Sequence, residues 1–187
     1  ESDHAMIQES IGNRYPVTIS LSVATGRTPA QALSDATERL QERGSAQDKE
    51  RREILCGRTI GDEHRTDEDV RIAHFDVIDA TGEYTDQVGA FESFIEIEQG
   101  YAALMKYMHG QNDSLSFFVG GDNVIAACPS LSEAEFEDAI AHVSEIAGVD
   151  LRVGVGTGAT AHEAGMDAKH ALEHCRARGD TVWFTDE

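Results

Sequence analysis

The sequence predicts an α+β fold of the split β-α-β, ferredoxin-like kind, in tandem duplication with the first copy incomplete. Three observations predict it. From Val70 onward, apolar runs of two-residue period and runs of helical spacing follow one another in the order β-α-β-β-α-β-α-β. Ser116 to Ala127 reads as strand, turn and strand, because Gly120-Gly121-Asp122-Asn123 tolerates the positive φ angles of a tight hairpin. Finally, Val23-Ala24-Thr25-Gly26-Arg27-Thr28 matches Val155-Gly156-Thr157-Gly158-Ala159-Thr160, and the same offset pairs Ala32 with Ala164, Asp35 with Asp167, Ala36 with Ala168 and Leu40 with Leu172. Residues 1–58 are therefore expected to be the C-terminal half of a first domain. Residues 59–69 read as an acidic linker and 70–187 as a complete second domain.

The elements follow in order. Residues 1–14 read as the end of a helix with Ala5, Met6, Ile7 and Ile11 on its apolar side. Residues 16–23 alternate, so Val17, Ile19, Leu21 and Val23 are expected to face a core. Thr28-Pro29-Ala30-Gln31 opens a helix with a hydroxyl cap and proline at its first position, and Gly44 stops it. Residues 45–58 are polar and expected to begin as helix. The strand from Val70 places Ala73, Phe75 and Val77 on one face and His74 and Asp76 on the other. A long helix over 86–108 follows, carrying Phe91, Phe94, Ile95, Tyr101, Leu104, Met105 and Met108 at helical spacing. After the hairpin, Ser132-Glu133-Ala134-Glu135 is a capping box for a helix whose apolar side is Phe136, Ala139, Ile140, Val143 and Ile146. A strand over 150–156, a helix over 160–178 and a short strand over 181–184 complete the chain. With helices on one face of the sheet, the other is expected to stay open and to gather His74, Asp76 and the hairpin tip.

Composition excludes several functions. The 187 residues, 40% of them apolar, carry a net charge of −20 and a pI near 4.6, which argues against a duplex nucleic-acid partner. A phosphorylated ligand that brings its own cation stays compatible. Lysine occurs only at Lys49, Lys106 and Lys169. Such an acidic, lysine-poor composition resembles that of salt-loving archaea, whose proteins stay soluble in concentrated cytoplasmic salt. K⁺ is a candidate activator. Cys56, Cys128 and Cys175 suit neither a disulfide framework nor a zinc site, so reduced thiols and a cytoplasmic location are expected. No apolar run reaches membrane-spanning length.

Asp76 lies between apolar neighbours inside a strand, and Asp122 sits at the hairpin tip. Two carboxylates on adjacent strands suit Mg²⁺, a hard ion usually shared with substrate phosphates, so these two residues are the candidate metal ligands. Gly120 and Gly121 serve the turn and also let backbone N–H groups approach a phosphate. Asp79 reads as a cap rather than a ligand. His74 is the candidate acid or base, against the plainer reading of a histidine in a polar network. His170 and His174 have metal-pair spacing but no third ligand nearby, which favours a solvated face. Arg176 and Arg178 offer phosphate forks or, equally, counter-charges to a helix C-terminus. Gln47 and Asp48 suit contact with a polar base or simple helix-exit chemistry.

These residues also resemble known families. Ala73-His74-Phe75-Asp76 with Gly120-Gly121-Asp122-Asn123 resembles the palm of class III nucleotidyl cyclases and diguanylate cyclases, in which two acidic residues hold two Mg²⁺ ions. Residues 171–179 are similar to the closing helix of diguanylate cyclases, with Arg176 where a phosphate-contacting lysine usually stands; Asn123 departs from their glutamate. Residues 7–16, the stretch Gly44-Ser45-Ala46-Gln47-Asp48, and residues 73–76 and 117–123 together resemble the archaeal GTP cyclohydrolase III family more closely. That resemblance implies two tandem palm domains and Mg²⁺-dependent hydrolysis of GTP to a formylaminopyrimidine ribonucleotide monophosphate plus two phosphates. The expected substrate contacts are Gly120, Gly121, Asn123, Arg176, Gln47 and Asp48. A homo-oligomer, dimer or higher, is expected because an open sheet face commonly completes its site with a second copy. A nucleotidyl or diguanylate cyclase and a non-catalytic nucleotide-binding module are the alternatives.

Overall fold

The computed structural model describes residues 3–44, 54–57, 69–78 and 89–185. The chain divides into two compact units, Glu1–Thr66 and Asp67–Glu187. Among the described residues no helix is long and apolar enough to cross a membrane.

The first unit contains α1 (Asp3–Arg14), β1 (Leu21–Ser22), α2 (Pro29–Gln41) and β2 (Leu55–Cys56), with β1 and β2 parallel. The Gln8 amide ties this unit together by donating to Ile19 O at 2.8 Å and Ile54 O at 2.9 Å. Here the sequence reading needs correction. Among the described residues only Leu21 and Ser22 of the expected strand over 16–23 pair as strand, and Val17 is exposed. Met6 and Ile7 are exposed as well. Leu55–Cys56, near the end of a stretch expected to begin as helix, is a strand; the beginning of that stretch lies, with Gln47, Asp48 and nearly all of the expected linker, in residues 45–53 and 58–68, outside the described residues.

The second unit is built on a five-stranded sheet. Its elements are β3 (Val70–Val77), α3 (Ala90–Asn112), β4 (Leu115–Gly120), β5 (Asn123–Cys128), α4 (Glu133–Ala147), β6 (Leu151–Gly158), α5 (Ala161–Arg178) and β7 (Val182–Phe184). The strand order is β4-β5-β3-β6-β7, antiparallel except for the parallel β6–β7 pair. One face buries Ala73, Phe75, Val124, Ala126, Leu151, Val153 and Val155 against Tyr101, Leu104 and Met108 of α3 and Phe136, Ala139 and Val143 of α4. The two-residue period of the strands selects that face. Phe91, Phe94, Ile95, Met105 and Ile146, expected on the apolar faces of these helices, are exposed. A helix of 23 residues runs about 34 Å at 1.5 Å per residue, whereas an eight-residue strand spans about 26 Å, so α3 is longer than the sheet it covers.

The opposite face is not open along its whole width, contrary to expectation. Strands β6 and β7 are parallel, so their connection must cross a face of the sheet, and α5 does so over β6 and β3. Gly154 and Gly156 make this possible. A β-carbon on Gly156 would sit 2.8 Å from the carbonyl carbon of Asp167, and one on Gly154 2.8 Å from that of Ala171, both within the α5 backbone. Ile72, Ala164 and Ala168 fill the seam. Among the described residues nothing covers the part of the face over β5 and β4, where Ile125 is part-buried and Phe117 exposed.

Candidate functional site

The site forms at the end of β3, where its last residues meet the β4–β5 turn and the beginning of β6. Asp76 pairs in register with Asn123 on one side and Arg152 on the other. Asp122 is brought alongside by the turn, where Gly120 (φ 114°) and Gly121 (φ 64°) take the left-handed conformations that favour glycine. The backbone N–H of Val77 donates to Asp122 O at 3.3 Å, and the Tyr101 hydroxyl donates to Gly121 O at 2.7 Å, so the turn is held by β3 and by α3. Burial beside Asp122 pushes the Tyr101 hydroxyl well above the usual phenol range, which keeps it a donor.

Asp76 is only 2% exposed, and a carboxylate so placed requires partners. It has two. Arg176, near the end of α5, donates from Nη2 to Oδ1 at 2.7 Å and from Nε to Oδ2 at 3.1 Å, a bidentate fork that raises the guanidinium pKa further. Arg152 places its Nε 3.4 Å from Oδ2. That nitrogen is buried and makes no hydrogen bond.

A second chain of polar contacts runs beside the first. The Asn123 amide donates from Nδ2 to Asp122 Oδ1 at 2.7 Å, which leaves its Oδ1 to accept from His74 Nε2 at 2.8 Å. His74 therefore carries its proton on Nε2 when neutral. Desolvation lowers its pKa, despite the opposing hydrogen bond to Asn123 and the nearby Asp76, and keeps the ring neutral at neutral pH.

The structure thus assembles Asp76, Asp122, Gly120, Gly121, Asn123, His74 and Arg176 at one end of the sheet. Asp79 lies outside the described residues, as do Gln47 and Asp48. Arg178 is exposed, and His174 stacks on Trp183 at 3.8 Å and faces Asp180 rather than a metal partner. The sequence reading missed Arg152 and Tyr101. Arg152 had a legible signal, a lone cation in a buried strand next to the strand that carries a lone anion. Tyr101 had none, because its apolar spacing concealed a polar tip.

Asp76 and Asp122 present hard oxygen donors of the kind Mg²⁺ takes. Among the described residues no group of three or more His, Cys, Asp and Glu converges, so the pair does not form a self-sufficient protein cage. Two carboxylates beside two arginines do suit a cation that arrives with phosphate oxygens, since Mg²⁺ completes its shell from substrate and water.

A split β-α-β sheet with carboxylates at its central strand and hairpin turn defines a palm-like class of fold, one that GGDEF domains share. The GGDEF domain of DgcB from Caulobacter crescentus in complex with c-di-GMP superposes with a TM-score of 0.55 at 13% identity, covering 91% of this chain and all of that one. The diguanylate cyclase SiaD from Pseudomonas aeruginosa gives 0.52 at 18% identity over 65% of this chain and 52% of that one. Within that class the chain belongs to the GTP cyclohydrolase III family, whose model matches residues 1–185. It is 66% identical to GTP cyclohydrolase III 1 of Halobacterium salinarum over 96% of this chain and 70% of that protein. Identity is 63% with the GTP cyclohydrolase III of Natronomonas pharaonis, over 97% and 72%. It is 40% with that of Methanocaldococcus jannaschii, over 94% and 64%. The chain thus spans roughly two thirds of each relative's length.

Proposed function

We propose that this chain hydrolyses GTP to 2-amino-5-formylamino-6-ribosylamino-4(3H)-pyrimidinone 5′-phosphate and two phosphates. One water adds at C8 and opens the imidazole ring, and two more cleave the phosphoanhydrides. Family membership supports the reading, and the observation that carries it is the meeting of Asp76, Asp122 and Arg176 at one end of the sheet. Asp76 and Asp122 are the residues that would hold Mg²⁺, two ions per site, when the triphosphate is bound. The metal would supply stabilisation of phosphate charge and an activated water.

The other roles follow from chemistry already described. Arg176 has a planar fork suited to phosphate oxygens. Backbone N–H groups of the Gly120–Gly121 turn can approach the same oxygens without side-chain interference. His74, neutral and committed at Nε2, keeps Nδ1 as a proton acceptor for the water that attacks C8. Asn123 spends its amide on Asp122 and His74, so it acts as a strut between them and is not a third metal-binding acid. Gln47 and Asp48 are proposed to contact the base. A cytoplasmic homo-oligomer, without a nucleic-acid partner and activated by K⁺, completes the reading.

Mass spectrometry of products after incubation with GTP, Mg²⁺ and high KCl tests it. The ring-opened formyl pyrimidine monophosphate is expected. A cyclic nucleotide would move the assignment to a cyclase, and unchanged GTP would leave a nucleotide-binding module.

A further inference from the structure

We propose that Arg152 and Arg176 are resident counter-ions of Asp76, so that this chain takes up a divalent cation only together with a nucleoside triphosphate. The inference rests on reading Asp76 and Asp122 as the metal ligands and adds a condition on when they are free to act. In the structure Asp76 is already neutralised: its two oxygens face the Arg176 fork at 2.7 and 3.1 Å and Arg152 Nε at 3.4 Å. Asp76, Asp122, Arg152 and Arg176 sum to zero charge. A bare divalent cation would leave two uncompensated positive charges around a buried carboxylate, a costly arrangement. A triphosphate supplies the missing negative charge and gives the guanidinium groups another acceptor.

The two arginines are not equivalent. The Arg176 side chain is 46% exposed at the end of a helix and is free to exchange Asp76 for a phosphate. The Arg152 side chain is 16% exposed on β6, opposite Asp76 in register, and cannot withdraw. Its buried Nε has no hydrogen-bond acceptor, although a donor in that position should have one. Arg152 therefore stays as a fixed positive charge that repels a free cation, its Nε held 3.4 Å from Asp76 Oδ2. It acts through Asp76 as a positioning residue.

The test titrates the full chain with Mn²⁺ in high KCl, following the free-ion electron paramagnetic resonance signal, with and without guanosine 5′-[β,γ-imido]triphosphate. Binding by the Asp122→Ala variant is subtracted as the surface background. Mn²⁺ affinity is expected to rise by about tenfold or more when the nucleotide is present, within the range of ordinary coupling between ligands. Arg152→Gln should raise nucleotide-free Mn²⁺ affinity by about fivefold or more and shrink the nucleotide effect, whereas Arg152→Lys should leave affinity weak. Arg176→Gln, at an exposed position, should act in the same direction and serves if Arg152→Gln fails to fold. Equal Mn²⁺ binding with and without nucleotide, or unchanged affinity in both glutamine variants, overturns the proposal. The product spectrum of the wild type separates the two readings: nucleotide-conditional Mn²⁺ uptake without ring opening sustains this inference and sinks the hydrolase.

Discussion

Substituting Gly156 by alanine adds a single methyl group at the contact on which the second layer of the domain depends. The new β-carbon would lie 2.8 Å from the Asp167 carbonyl carbon and closer still to Ala168 N and Ala164 O. Unstrained carbon–carbon contacts sit at about 3.5–4.0 Å, so α5 has to lift by about 1 Å. Overpacking of this kind costs about 1–3 kcal/mol, and contact with main-chain atoms, which have no rotamer to escape into, puts Gly156→Ala at the upper end. At about 4 °C per kcal/mol for a unit of this size, the midpoint should fall by about 10 °C. The same lift moves Arg176 away from Asp76, and a displacement of about 1 Å in such a clamp can cost about a hundredfold in rate. The assay is thermal unfolding by circular dichroism in high KCl beside GTP turnover. Gly165→Ala is the matched control: its β-carbon would meet nothing within 4 Å, and alanine favours a helix interior by about 0.5–1 kcal/mol, so this variant should be unchanged or slightly more stable. A Gly156→Ala protein that melts within 2 °C of wild type and retains turnover would refute the placement of α5 on the glycine face of β6.

Three further outcomes are expected. Asp122→Ala should fold, since Asp122 is only part-buried, but should lose turnover by about a hundredfold or more, read from steady-state product formation. Tyr101→Phe removes the 2.7 Å hydrogen bond to Gly121 O and should lower stability by about 1 kcal/mol in urea melts, with the backbone acceptor left unpaired. For His74, the folded pKa lies below the unfolded value of 6.5, so the unfolded chain binds more protons in that window. Stability should therefore decline as pH falls below about 6.5, by no more than about 1.4 kcal/mol per unit, until the folded state also protonates. His74→Asn should flatten that limb, and an unflattened limb in its urea melts would refute the assignment.

The sequence by itself determined the element order of the second unit, its β-hairpin and the core face of β3. Those follow from local rules: a two-residue period, a capping box at Ser132 and glycine where φ is positive. The internal match was equally legible. Thr28 and Thr160 both cap their helices, accepting at 3.2 Å from Gln31 N and Glu163 N. The run α1-β1-α2-β2 has the element order of α4-β6-α5-β7, with parallel pairing of its strands in each case. Asp76 and Asp122 could be proposed as neighbours because a hairpin strand beside β3 must carry its turn to one end of the sheet.

Only the tertiary structure decided which helix covers which face. Nothing local in residues 161–178 specifies a side of the sheet. That choice follows from the parallel β6–β7 pairing and from two glycines whose missing side chains become significant only when a helix backbone rests on them. The Arg176 fork on Asp76 was hidden for the same reason. Arg152 and Arg176 are distant from it along the chain: the β3–β6 register sets Arg152 opposite Asp76, and α5, lying across β6 and β3, brings Arg176 to the same buried carboxylate. Ion pairing of this kind depends on separations of a few ångströms in space, which sequence spacing does not encode.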